Sequence, residues 1–197
     1  MTPDPLKDRV TAALARAGRP SSDFDLNRDF APPAGRRLTP AAVLLAVTAA
    51  ERVILTKRAS GLRHHPGQIA FPGGKLDPGD VDAPAAALRE AQEEVGLDPA
   101  HVEVLGTMPP HETVTGYSVT PVLGLIRSPF AGVPEAGEVD EVFEVPLAHV
   151  ANPASYVIEG RMWRGQRRLY YAVPWGPYYI WGATARILRA FADRLGG

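Results

Sequence analysis

Three glutamates at i, i+3 and i+4, Glu90, Glu93 and Glu94, follow a glycine pair, Gly73-Gly74, within the stretch FPGGKLDPGDVDAPAAALREAQEEVGL (71–97). No other stretch restricts the fold as much. Asp82 suits an N-cap, Pro84 a first helical turn, and Gly96 a left-handed C-cap, so a helix is predicted between them. At 3.6 residues per turn, Pro84, Ala87, Leu88, Ala91 and Val95 share one face and the three glutamates the opposite one. Arg89 stands one turn before Glu93. Like charges at these spacings weaken a helix unless a cation offsets them. Carboxylate oxygens suit a hard divalent ion, Mg²⁺ or Mn²⁺. Alone, REAQEE reads first as a solvated acidic face. The glycine pair, which lets bare backbone come close, and the glycine cap shift the reading to a metal site.

The rest of the chain frames this stretch. Its 197 residues suit one domain (1–197), with 1–38 an N-terminal helix and arm. A net charge of −1 offers no field for nucleic acid or an anionic membrane. The absence of cysteine excludes disulfides, thiolate metal sites and a Cys nucleophile, and fits a reducing, cytoplasmic setting. The apolar run from Ala41 to Ala50 is too short to span a bilayer, and the polar start MTPDPLKDRV is not expected to act as a secretory signal.

In order, Pro5 to Ala17 reads as an amphipathic helix, with Leu6, Val10, Ala13 and Leu14 on one side. Arg19 to Arg37 reads as a Pro-rich arm or linker without chemistry; contact with a second subunit would leave a homodimer open. Ala41–Val47 and Arg52–Thr56 are predicted to pair as a hairpin about a turn at Ala49–Glu51. The basic loop KRASGLRHHPGQ (57–68) then leads through a short strand, Ile69–Phe71, into the glycine pair. Strands are predicted at Val102–Met108 and Tyr117–Ile126, with the loop PPHETVTG and its Glu112 between them. An acidic segment, Glu135 to Glu144, leads from a loop into a strand. Ser155–Glu159 and Arg168–Trp175 are predicted to form a last hairpin with its turn near 160–166, before a helix from Ala183 to Leu195. Mixed strands and helices with several hairpins predict an α+β fold, a mixed sheet between helices.

Gly74 followed by REAQEEVGL (89–97) resembles the signature of the Nudix hydrolases: a glycine, an acidic residue, then R-E-apolar-x-E-E-x-G-apolar. Two departures are visible. The loop from Gly74 to Arg89 is one residue longer than the general signature, and Asp80 fills the acidic position. Coenzyme A pyrophosphatases of that family resemble this longer version. A second stretch resembles the same subfamily in register with the first: Leu55, Thr56, Arg58, Ala59, Arg63, Gly67, then Phe71-Pro72-Gly73-Gly74. GYSVTPVLG (116–124) and the ending about Ile180-Trp181-Gly182 are similar too, so the likeness runs from about Ala41 to Phe191.

The resemblance implies the Nudix fold, with Glu90, Glu93 and Glu94 as metal ligands, Arg89 orienting a glutamate, and a carbonyl near Gly73 or Gly74 close to the ion. It implies metal-dependent hydrolysis of coenzyme A and its derivatives to 4′-phosphopantetheine and adenosine 3′,5′-bisphosphate. Arg58 and Arg63 offer guanidinium forks to the 3′-phosphate. Lys57, His64 and His65 are weaker candidates, and the adjacent histidines point apart. Glu138 and Glu141 are the candidates for a further carboxylate, as base or ligand, against an ordinary charged edge strand. Trp175, Tyr178, Tyr179 and Trp181 are read as core between hairpin and last helix; stacking an adenine or covering a pantetheine arm is their other use. The alternatives are a Nudix enzyme for another diphosphate such as ADP-ribose, or a catalytically silent Nudix binding module. Three intact glutamates speak against the second.

Overall fold

The computed structural model describes residues 4–27, 29–30, 32, 35–163 and 165–196. Its elements are α1 (Pro5–Ala15), β1 (Ser21–Ser22), β2 (Thr39–Thr48), β3 (Arg52–Arg58), β4 (Ile69–Ala70) and β5 (Gly73–Lys75). Next come α2 (Ala83–Val95), β6 (Val102–Thr107), β7 (His111–Glu112), β8 (Tyr117–Ile126), β9 (Val139–Pro146) and α3 (Leu147–Val150). After these lie β10 (Val157–Trp163), β11 (Gln166–Ala172) and α4 (Gly182–Leu195).

Among the described residues, β1 to β9 form one mixed sheet, and β10 and β11 a separate ribbon. Its centre is the parallel pair β2 and β8, matched from Thr39–Tyr117 to Thr48–Ile126. Central strands are covered on both faces, which is why these two read as nearly unbroken apolar runs. Successive side chains then divide between two cores. Ala42, Leu44 and Ala46 pack with Ile54 under Ala87, Ala91 and Val95 of α2. Ala41, Leu45 and Val47 pack on the other face with Val10 of α1 and Leu188 and Phe191 of α4. This is the expected α+β arrangement, a mixed sheet between helices.

Local signals placed α2 well. Asp82 accepts from the Ala85 amide at 2.8 Å, and Gly96 ends the helix at φ 69°. Other expectations need correction. The arm carries β1, which pairs in parallel with β7, itself within the segment expected as a loop. Ser21 Oγ lies 2.9 Å from Nδ1 of buried His111, whose Nε2 is 3.1 Å from Asp23 Oδ1. The Asn27 side chain donates to the Leu169 carbonyl and accepts from its amide, at 2.9 and 2.8 Å. Polar side chains tie this segment down, and they leave no hydrophobic period to read. The last hairpin is longer and tighter than expected, because β10 and β11 pair from Val157–Ala172 to Trp163–Gln166. Residue 164 of its turn, like residues 1–3, 28, 31, 33 and 34 of the N-terminal helix and arm, lies outside the described residues.

Candidate active site

The glycine pair is held by β2: Gly73 is opposite Val43 and Gly74 opposite Ala42. A Cβ on Gly73 would lie 2.4 Å from the Ala42 carbonyl oxygen, at a φ of +154° that side chains rarely adopt. A Cβ on Gly74 would lie 2.3 Å from Glu90 Oε1, so the Glu90 carboxylate rests where that side chain would be. One turn on, Glu94 Oε2 accepts from the Gly73 amide at 3.0 Å. The two carboxylates and the glycine backbone form one cluster.

The expected open face of three glutamates is therefore divided. Glu94 stands at i+3 from Ala91 and i+7 from Ala87, so it borders the apolar stripe, and docking against β5 leaves it 6% exposed. The Glu93 side chain stays 58% exposed and pairs with Arg89 Nη1 at 3.0 Å. Burial pushes the Glu94 carboxyl up to about 7, against the Gly73 amide, which favours the charged form. Glu90 and Glu138 add to the rise and Arg58 offsets it. Burial also raises Glu90, with Arg89 opposing.

Arg89 joins four groups. Its Nε and Nη2 donate to Asp80 at 3.1 and 3.0 Å, Nη1 donates to Glu90 and Glu93 at 3.1 and 3.0 Å, and Nη2 also reaches the Lys75 carbonyl at 3.2 Å. The Asp80 bond comes first in strengthening its hold on its proton, and Arg89 in turn keeps Asp80 below the usual carboxylate range. Asp80 also accepts from the Asp77 amide at 2.8 Å, which closes the loop between β5 and α2.

A divalent cation fits this cluster. Glu90 adds to the rise at Glu94, Glu93 and Asp77 add to the rise at Glu90, the backbone at Gly74 is bare, and a cation there would remove the repulsion. Among the described residues no three His, Cys, Asp or Glu side chains already converge as a finished ligand set. Glu93, turned to Arg89, is what separates the observed arrangement from the expected trio.

The other candidates divide by sheet face. β3 and β9 pair along their lengths, with a bulge between Lys57 and Arg58. Arg58 ends β3 with its charge acting on Glu94. Glu138, whose carbonyl accepts from the Ala59 amide at 2.8 Å, acts on Glu94 as well. Glu141 is elsewhere. Val142 packs in the α2-side core and Phe143 in the opposite one, so Glu141 shares the face of Phe143. There it accepts a bond from the Tyr178 hydroxyl. Arg63 is exposed in the loop after β3, and His65, next to Arg58, is held below the usual imidazole range by burial first and Arg58 second.

The aromatic segment departs from the expected core. Trp175 and Tyr178 do pack against the α4-side core. Tyr178, Tyr179 and Trp181 also line an open cleft of about 440 Å³, together with Lys57, Ile69 and Glu141. Tyr179 is 41% exposed. The available signal was the Gly-Pro turn in WGPYYIW, because aromatics held on a turn are displayed more readily than those on a helix face.

Known proteins resemble the chain in the same region. A family model described as NUDIX domain matches residues 37–164. The uncharacterized Nudix hydrolase NudL of Enterobacter sp. (strain 638) is 42% identical over 158 residues, 79% of this chain and 82% of the relative. The uncharacterized Nudix hydrolase NudL of Escherichia coli (strain K12) is 44% identical over 144 residues, 73% of this chain and 75% of the relative. The crystal structure of the MutT protein from Methanosarcina mazei Go1 superimposes with a TM-score of 0.53 at 20% identity, over 82% of this chain and 95% of that one, a likeness of fold alone.

Proposed function

The chain belongs to the NUDIX domain family, and we propose that it hydrolyses the pyrophosphate of coenzyme A and its derivatives to 4′-phosphopantetheine and adenosine 3′,5′-bisphosphate. The hydrolase class follows from the family; the substrate is our own reading. The observation that carries it is that the charge of Arg58, at the end of β3, acts on Glu94, the carboxylate bonded to the Gly73 amide. A basic loop leaves β3 at Arg58, passes Arg63, and returns through β4 to the glycine pair. A substrate with a pyrophosphate and a separate ribose phosphate calls for this combination, a carboxylate-held cation for one and side-chain cations for the other.

In this reading Glu90, Glu94 and Glu93 would hold the ion, Mg²⁺ or Mn²⁺. A bound divalent ion supplies neutralisation of phosphoryl oxygens and a more acidic water. Arg89 fixes the carboxylates and is itself fixed by Asp80. The glycine backbone leaves room for the phosphates. Glu138 accepts the proton of the attacking water. Arg58 faces the pyrophosphate and Arg63 the 3′-phosphate.

The test is a substrate panel of coenzyme A, dephospho-coenzyme A and ADP-ribose with Mg²⁺ or Mn²⁺, with the products identified by mass. Coenzyme A is expected to have the highest kcat/KM and to give the two named products. A preference for ADP-ribose would overturn the substrate assignment and leave the hydrolase class intact.

A further inference from the structure

We infer that the aromatic cleft on the sheet face opposite α2 is a nucleobase site, taking a planar nitrogen heterocycle with an exocyclic amine. The inference rests on the proposed hydrolase reading only for its view that the pyrophosphate lies at Glu90 and Glu94.

The walls of the cleft are flat and fixed before any ligand arrives. The Tyr178 ring lies on Phe143 with centroids 3.6 Å apart and planes 8° from parallel. The Tyr179 hydroxyl donates to Glu159 at 2.7 Å and lies 3.2 Å from the Tyr170 hydroxyl. Trp181 carries the Arg161 guanidinium 5.3 Å from its ring centroid and meets the edge of Tyr170 at 5.1 Å. The Tyr179 hydroxyl is thus engaged outside the cleft and the Tyr178 hydroxyl is taken up by Glu141 on the cleft wall, so these residues offer it ring surface more than hydrogen bonds. Rigid aromatic surface suits a π system, and stacking tolerates any base.

Two polar side chains also line the cleft. Lys57 and Glu141 are register partners on β3 and β9. The ammonium donates and the free carboxylate oxygen accepts, which matches a ring nitrogen beside an exocyclic amine. A flexible amide chain would need polar partners spread along its length, whereas here they are gathered on one strand pair. The volume, about 440 Å³, is within the range of small-molecule sites.

Position links the cleft to the chemistry. Lys57 shares the face of Leu55, away from α2, while Arg58, next in the chain, acts on Glu94 on the α2 side. A nucleotide can therefore turn round the end of β3, with its phosphate at Arg58 and its base beside Lys57.

The test is calorimetric binding of AMP, ribose 5-phosphate and 4′-phosphopantetheine to the full chain in chelator, for wild type, Tyr179→Leu, Tyr179→Phe and Trp181→Leu. AMP should bind roughly 10- to 100-fold more tightly than ribose 5-phosphate, the effect of one stacked base. Tyr179→Leu and Trp181→Leu should remove most of that difference, and Tyr179→Phe should keep it. Trp181 precedes α4, so Tyr179→Leu, at an exposed site, decides if Trp181→Leu fails to fold. Equal affinity for AMP and ribose 5-phosphate overturns the inference. So does a Tyr179→Leu variant that loses phosphopantetheine and keeps AMP. Coenzyme A hydrolysis is assayed in parallel: base-dependent AMP binding without hydrolysis keeps the cleft and removes the substrate reading, and hydrolysis with AMP binding blind to both variants does the reverse.

Discussion

The Gly73 amide donates to Glu94 Oε2 at 3.0 Å, so one backbone bond joins the glycine turn to the last turn of α2. It is also the contact that buries a carboxyl whose pKa rises to about 7.

The first prediction follows from that rise. A carboxyl whose folded pKa exceeds its unfolded value binds its proton more tightly in the folded state, so stability falls as pH climbs from about 4.5 to about 7. In metal-free protein, thermal melts should show wild type losing stability over this window relative to Glu94→Gln, whose neutral amide has nothing to titrate. Saturating Mg²⁺ should remove the wild-type loss. A Glu94→Gln melt with the same pH slope as wild type would contradict it.

Arg89 gives the second. Arg89→Ala breaks its bonds to Asp80, Glu90 and Glu93 together. Apparent metal affinity should fall about 10- to 100-fold, the usual effect of losing a partner behind the ligands, and excess metal should restore part of the rate. Arg89→Lys should rescue little, since a single ammonium does not reproduce the fork. A rate and metal dependence equal to wild type would make Arg89 a surface residue.

The third separates Glu138 from Glu141. Glu138 acts on Glu94, whereas Glu141 is on the opposite face, bonded to Tyr178. Glu138→Gln should lower kcat by about 10²- to 10⁴-fold, the range for a lost general base. Glu141→Gln should alter KM more than kcat. Steady-state kinetics that reverse this order would move the base to Glu141.

The fourth concerns phosphate selectivity. Arg63 is exposed in the loop, while Arg58 belongs to the electrostatic surroundings of Glu94. Arg63→Ala should reduce kcat/KM for coenzyme A about tenfold or more, the effect of one charge-assisted contact, and barely change dephospho-coenzyme A. Arg58→Ala should harm both substrates. Equal losses on both substrates for Arg63→Ala would assign it to the shared pyrophosphate.

Sequence alone determined what local chemistry decides. The limits of α2 were legible because Asp82 caps an adjacent amide and Gly96 adopts a backbone that side chains avoid, and both effects act within a few residues. The long strands were legible because an apolar run must be covered on both faces wherever it pairs. Tertiary structure decided the rest. Whether Glu94 meets water or the Gly73 amide depends on how α2 rotates against β5, and a periodicity shared by three glutamates cannot distinguish them. Glu138 and Glu141 look alike along the chain, yet one acts on Glu94 and the other faces the cleft, because alternation assigns faces only once pairing and bulge are known. Tyr179 and Trp181 read as core by composition; they became cleft walls because the turn beside them packs on the face of β9, with Tyr178 on Phe143, which no short-range pattern encodes.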